Sequence, residues 1–371
     1  MIGRRKTRSF PKFVTMVMVR AFFRRVEIDG IERLPANGPV ITVANHANGL
    51  VDGLLLMSSL PRWPRFLGKA TLFDIAPLRP FLRLTGVIPV HRAKDDTNHR
   101  HDTPGEPGAD RAAKNDATFA ACRALLRDGE LVSIFPEGIS HDHDSLQPLR
   151  TGAARIALTA AFDPEPSIAR PSRAASLDIV PIGLAYDAKA TFRSNAVIVI
   201  GDPIPVEQWA EAYAKDPRAA VRTCTAAITE GLRAVAPDHP HGGVPDESGR
   251  RLRLLSVLRT APSIQPRLAL AAAAPVALIG AVVHIVPYQI VKQLARLPRG
   301  QSVKSTVKVL GSTVLFVSEW AALTAVAWHK RGGLAAATTA VAAPLSGYVA
   351  VRFAETIRDS AAQRSVSESA V

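Results

Sequence analysis

The sequence predicts an α/β fold, a sheet flanked by helices, followed by a helical region suited to a membrane. Two patterns carry this. Short β-branched runs at residues 40–43, 131–135, 179–186 and 196–200 alternate with stretches of helical period, chiefly 118–128 and 149–157; strands alternating with helices build a sheet with helices packed on it. Further on, residues 268–286, 309–328 and 334–351 are rich in Ala, Val and Leu and almost free of formal charge, and each approaches the length needed to enter or cross a hydrocarbon core.

The 371 residues carry a formal net charge of +14 and a pI near 10.3, which favours anionic partners: nucleic acid, anionic lipid or phosphorylated small molecules. Nucleic acid is set aside, because no helix-turn-helix, zinc-finger or aromatic RNA-binding signature is present. Cys122 and Cys224 are the only cysteines, so no disulfide framework is implied and a reducing compartment is expected. Composition divides the chain into a basic amphipathic helix (1–25), an α/β domain (26–236), a linker and basic segment (237–266), a hydrophobic helical region (267–352) and a polar tail (353–371).

Arg4, Arg5, Lys6 and Arg8 precede an apolar run that Arg20 interrupts and that leads into Arg24 and Arg25. With no cleavage site, this reads as a helix lying in a membrane interface or one packed on the domain. Residues 26–43 read as short strands with a turn at 34–39, rich in Pro, Asn and Gly. Residues 66–70 lead into a helix-like stretch to Leu82, broken at Pro77 and Pro80. Residues 86–92 form a strand that delivers Arg92 at its end, where a planar guanidinium can grip a phosphate. Residues 93–115 are a polar loop. The helix at 118–128 stops at Gly129, the strand 131–135 runs into Pro136-Glu137-Gly138, and a helix enters near Thr151-Gly152.

The centre of the chain is Asn45-His46-Ala47-Asn48-Gly49-Leu50-Val51-Asp52, between the strand 40–43 and an apolar stretch at 54–57. An imidazole at a strand tip, with a carboxylate one short loop away, can be held in one tautomer on one nitrogen and take a substrate proton with the other. Read alone, the same two residues are equally a core histidine and a helix N-cap. His99-Arg100-His101-Asp102 and His141-Asp142-His143-Asp144 have the residue types of a metal site, but neither lies on a periodic element and no partner ligands follow; they read as loop histidines.

Taken together, Asn45-His46 with Asp52, residues 86–92 ending in Arg92, Phe135-Pro136-Glu137-Gly138, and Val180-Pro181-Ile182 resemble, in order and spacing, the four motif blocks of the phospholipid/glycerol acyltransferases. The resemblance covers roughly residues 20–205. It implies a glycerolipid acyltransferase fold with a mixed sheet. The implied activity is transfer of a fatty acyl group from acyl-CoA or acyl carrier protein to glycerol phosphate or lysophosphatidic acid. It also implies His46 as general base with Asp52 as its partner, and Arg92, Glu137 and Gly138 at the acceptor's phosphate. Two departures stand out. Five residues separate His46 from Asp52, one more than the usual family spacing, as in the fungal-type glycerol phosphate and dihydroxyacetone phosphate acyltransferases. Ser140 is followed by His141 where the family carries an arginine, a cation that Arg150 or Lys69 could supply.

The chemistry fits. A thioester is already activated, so the reaction needs a deprotonated hydroxyl, oxyanion stabilisation and positioning, with no cofactor and no metal. No Gly-x-Ser-x-Gly elbow is present, which favours direct attack by the acceptor. A different class of function is a non-catalytic lipid- or phosphate-binding membrane protein on the same fold. The C-terminal stretches read either as membrane segments, with basic flanks on both sides of the first one and the catalytic domain on the cytoplasmic side, or as a buried helical bundle.

Overall fold

The computed structural model describes residues 9–76, 78–90, 107–143, 145–163, 176–236, 267–298 and 300–369. Arg92, His99, His101 and the whole segment 237–266 expected to link the two regions lie outside them. The chain forms two compact units that divide between Leu258 and Arg259.

The first unit is a mixed sheet between helices. Its strands are β1 (Phe23–Asp29), β2 (Val40–Ala44), β3 (Pro64–Lys69), β4 (Ile88–Val90), β5 (Leu131–Ile134), β6 (Asp178–Tyr186), β7 (Ser194–Ile200) and the short β8 (Ile204–Pro205). They lie in the order β1-β7-β6-β2-β5-β3-β4, with β8 also pairing β6. β6, β2, β5, β3 and β4 are parallel, whereas β7 runs antiparallel to β6 and β1 parallels β7. The five parallel strands therefore send their carboxyl ends to one edge, where open α/β sheets bind ligands.

Seven helices flank this sheet: α1 (Ser9–Phe22), α2 (Leu50–Ser59), α3 (Arg79–Thr85), α4 (Pro107–Arg127), α5 (Gly152–Phe162), α6 (Ala210–Lys215) and α7 (Pro217–Val235). β2 is buried along its whole length, as a parallel central strand covered on both faces must be. The core joins Ile41, Val43, Val132 and Ile134 to Ala154, Ile156 and Leu158 of α5 and Cys224, Ile228 and Leu232 of α7. Replacing such a leucine or isoleucine by alanine typically costs about 2–5 kcal/mol. Arg62 fastens the amino ends of β2 and β5, its guanidinium donating to the carbonyls of Pro35, Gly38 and Gly129.

Three readings change. α4 starts at Pro107, so the latter part of the expected loop 93–115 is helical; proline suits a first helical turn, where its missing N–H is not needed. The stretch to Leu82 splits into a 3-10 turn (Ala70–Asp74) and α3, with Pro80 in the first turn of α3. α7 went unread in the sequence, although Asp216 accepts from the Arg218 and Ala219 N–H groups ahead of Pro217 and the buried positions 220, 224, 228, 232 and 235 hold helical spacing. α1 packs on the domain along one face and leaves apolar side chains exposed on the other. Met18, Val19 and Phe22 are buried and Lys12 Nζ donates to Leu60 O at 2.9 Å, whereas Phe10, Phe13 and Val17 stand exposed.

The second unit is helical: α8 (Arg267–Val283), α9 (Ile285–Leu294), α10 (Gln301–Arg331) and α11 (Gly333–Ser369). α8 and α9 meet at His284 with a bend of 59°. Gly332 at φ 81° turns the chain from α10 into α11, a left-handed conformation suited to glycine, and the two helices pack on each other. α11 runs through the tail expected to be polar and ends at Ser369. Gln301–Arg331 and Gly333–Arg358 are long and apolar enough to cross a membrane, and the bent pair makes a third span if counted as one. Their apolar windows are only 6% and 11% buried within the unit, and Leu278, Val282, Leu334 and Val341 are each about two-thirds exposed or more. A self-contained bundle buries such faces; a bilayer covers them. Glu319 is not left facing lipid. Its Oε2 lies 2.5 Å from His284 Nδ1, and His284 Nε2 is 2.9 Å from the Ala343 carbonyl.

Candidate active site

The loop from β2 to α2 is built to present one imidazole. Asn45 clips its start to β6, with Nδ2 donating to Leu184 O at 3.0 Å and Oδ1 accepting from Leu184 N at 2.7 Å. The side chain thus continues the backbone ladder for one more residue. His46 donates its backbone N–H to Glu137 Oε1 at 2.7 Å and accepts from His141 N at 3.3 Å. Its ring stacks on Phe135, centroids 4.0 Å apart and planes within 10°, and Phe135 stacks in turn on Phe66. Peptide and ring are both fixed.

The longer His-to-Asp spacing is absorbed by Asn48-Gly49. Gly49 sits at φ 59°, ψ −133° immediately before α2, a conformation open to glycine and costly for other residues. This turn places Asp52 in the first turn of α2, where a carboxylate is favoured by the helix dipole. Asp52 is fully buried and satisfied: Oδ2 lies 2.9 Å from His46 Nδ1 and 2.7 Å from Asn48 N, and Oδ1 accepts from the Tyr186 hydroxyl at 2.5 Å. Burial, and then the adjacent Asp52 carboxylate, hold the Tyr186 phenol well above its ordinary range, so it stays a donor. Asp52 fixes the proton on Nδ1. The other ring nitrogen, Nε2, has no hydrogen-bond partner among the described residues, and the side chain is 16% exposed. One edge of a firmly held imidazole is open.

The loop after β5 supplies the walls. Glu137 is buried, and besides the His46 N–H it accepts from Gln147 N at 2.8 Å and from the His141 ring on Oε2. Gly138 occupies φ 71°, and a side chain there would press on Arg150. Ser140 Oγ accepts from Gly49 N at 2.9 Å, fastening this loop to the turn before α2. Arg150 is exposed, with its own N–H on Pro136 O at 2.7 Å. Lys69 closes β3 on the same sheet edge. The fold thus gathers His46, Asp52, Glu137, Gly138, Ser140, Arg150 and Lys69 on the carboxyl edge of the parallel strands; Arg92 lies outside the described residues.

Two participants escaped the sequence. Tyr186, the last residue of β6, is invisible because its partner is 134 positions away. His141 is a loop histidine as expected, but a half-buried one whose ring is bonded to Glu137. The only sequence sign for it was its place where the resembled pattern carries another residue. Among the described residues no group of three or more His, Cys, Asp or Glu side chains could hold a metal.

The Acyltransferase family model matches residues 25–185, which contain all of these loops. Glycerol-3-phosphate O-acyltransferase 2 of Saccharomyces cerevisiae is 38% identical over 128 residues, 34% of this chain and 16% of that protein. Residues 25–185 thus form a domain of the Acyltransferase family. An uncharacterised acyltransferase of Schizosaccharomyces pombe is 27% identical over 308 residues, 61% of this chain and 44% of that protein. The chain thus spans less than half the length of these two relatives. The crystal structure of the 1-acyl-sn-glycerophosphate acyltransferase PlsC from Thermotoga maritima aligns with 62% of this chain and 84% of that one, at 14% identity and a TM-score of 0.38.

Proposed function

We propose that this acyltransferase moves a fatty acyl group from the thioester of acyl-CoA or acyl carrier protein to a hydroxyl of glycerol phosphate or lysophosphatidic acid, with His46 as general base. The observation that carries this reading is the His46 ring, held on Nδ1 by a buried Asp52 with Nε2 open. In the reaction, Nε2 takes the acceptor's hydroxyl proton as its oxygen attacks the thioester carbonyl. The tetrahedral oxyanion collapses, the C–S bond breaks, and the proton passes from the imidazolium to the departing thiolate. Asp52 keeps the ring in the tautomer that leaves Nε2 unprotonated and stabilises the imidazolium between the two transfers. Stacking on Phe135 fixes the ring's plane, so little orientation is lost on reaching the transition state.

The acceptor's phosphate is assigned to the cationic side chains Lys69 and Arg150 of this sheet edge, with Gly138 and Ser140 shaping the loop, and to Arg92 on the strength of its motif alone. Similarity to the yeast glycerol-3-phosphate O-acyltransferase favours glycerol phosphate as the acceptor to test first. The two long apolar helices support a membrane location, where a lipid product can leave directly; we place the catalytic unit on the cytoplasmic side. The test incubates membranes bearing the full chain with radiolabelled acyl-CoA or acyl carrier protein and a panel of glycerol phosphate, dihydroxyacetone phosphate and lysophospholipids. Label entering a phosphate-bearing acylglycerol supports the reading; no transfer to any member of the panel overturns it.

A further inference from the structure

We propose that Tyr186 is a positioning residue of this acyltransferase, setting the basicity of His46 through Asp52. The inference rests on His46 being the base. A phenylalanine would fill the same buried volume at the end of β6 without a polar atom to satisfy, and burying an unpaired hydroxyl is costly. The Tyr186 oxygen is directed to one place: it donates to Asp52 Oδ1 at 2.5 Å. It is the only described side chain bonded to that oxygen, since Asn48 N and His46 Nδ1 both use Oδ2. The carboxylate is divided between two directions, with one oxygen for the imidazole and the other for the phenol.

The phenol is itself held. Its ring stacks on Phe23 at 5.7 Å and 25°, and Phe23 meets Phe22 edge to face at the α1–β1 junction. A rigid donor on Oδ1 does two things. It prevents the carboxylate from rotating away from His46, and it draws part of the negative charge off Oδ2, lowering the attraction of Asp52 for a proton on the imidazole. The other ionisable groups against this loop are Glu137, bonded to the His46 backbone, His141, bonded to Glu137, and Lys189, whose carbonyl accepts from Asn48 Nδ2. None of these bonds reaches Oδ1.

The sign follows. Removing the hydroxyl concentrates charge on the side of Asp52 that faces His46, so the imidazolium is favoured and the base is lost at higher pH. In Tyr186→Phe, the acid limb of the kcat/KM–pH profile moves up by about half a unit, and kcat at neutral pH falls by up to about threefold with both KM values within about twofold. Activity recovers as pH rises, which a loss of folded protein does not produce. Site-specific 3-fluorotyrosine at position 186 keeps the ring and strengthens the donor, and moves the limb down. His46→Ala is measured in parallel. If it is folded and inactive while both Tyr186 proteins keep the wild-type acid limb, the role of Tyr186 is overturned and the base assignment stands. If His46→Ala turns over substantially, the base assignment fails and this proposal fails with it.

Discussion

Glu137 holds His46 by its backbone, with Oε1 accepting the His46 N–H at 2.7 Å. Its second oxygen is filled by Gln147 N and the His141 ring, so this carboxylate is spent on joining two loops. An anion in that position would also repel a phosphate. Glu137 thus braces the His46 loop, although its motif points to the phosphate site. Glu137→Gln has one carbonyl oxygen for three donors and turns an NH₂ toward at least one of them, a mismatch of about 1–3 kcal/mol. The expected result is a lower melting temperature and a kcat reduced on the order of 10²-fold through misplacement of the imidazole. A raised KM for the acceptor with kcat intact would instead assign Glu137 to phosphate binding.

His46→Ala removes the proposed base. Loss of a general base typically costs on the order of 10² to 10⁴ in rate, and the ring's stack on Phe135 is a modest part of the core, so the fold persists. Asp52→Asn is a sharper probe. The amide can still accept from Tyr186 on its oxygen, but it then presents NH₂ to His46 and selects the wrong tautomer. Turnover should drop nearly as far as in His46→Ala, with the melting temperature lowered because Asn48 N also loses its acceptor. Near-normal turnover in Asp52→Asn would show that the pair is structural.

The α/β class, most of the strand positions along the chain and the His46–Asp52 loop were legible because each rests on local pattern: β-branched runs, helical period, and a turn whose Asn48-Gly49 permits positive φ. Where sequence reading failed, the cause was nonlocal. Nothing near Tyr186 signals that its hydroxyl ends on Asp52, and nothing near His141 signals its burial against Glu137. α7 was legible and overlooked, with an Asp-Pro start and five buried positions at helical spacing. The antiparallel β7, which makes the sheet mixed, follows from the short β6–β7 connection at residues 187–193.

Arg92 tests the phosphate assignment from outside the described residues. A guanidinium grips a phosphate with two parallel N–H groups and an ammonium cannot. Arg92→Lys should therefore raise the acceptor's KM several-fold while leaving that of the acyl donor near wild type, measured by varying each substrate at saturating levels of the other. Equal rises for both substrates would make Arg92 a structural residue.

Cys122 and Cys224 are both fully buried, and burial pushes each thiol up to about 12. A raised pKa keeps the unreactive thiol form throughout the neutral range and well above it. The folded protein should resist iodoacetamide between pH 7 and 9, and both cysteines should label once it is unfolded in guanidinium, as read by mass spectrometry. Rapid labelling of either in the native protein would contradict the packing of α4 or α7.

The membrane unit makes its own prediction through Glu319. A carboxylate within a spanning helix is tolerated when it faces protein and is paired, and here it meets His284 at the α8–α9 bend, with the far side of that imidazole on Ala343 of α11. The pair therefore ties three helices together. Glu319→Ala leaves a buried imidazole with no partner on Nδ1, whereas Glu319→Gln keeps a hydrogen bond. Polar contacts between membrane helices are worth about 0.6–2 kcal/mol, so in detergent micelles the alanine variant should melt several degrees lower and the glutamine variant close to wild type. Both should stay in the membrane fraction through a carbonate wash, because that retention comes from the exposed apolar faces of α10 and α11, which salt and pH do not screen. Deleting residues 260–371 should release the protein to salt. Release of the full-length protein by carbonate would show that these helices bury one another and do not enter the bilayer.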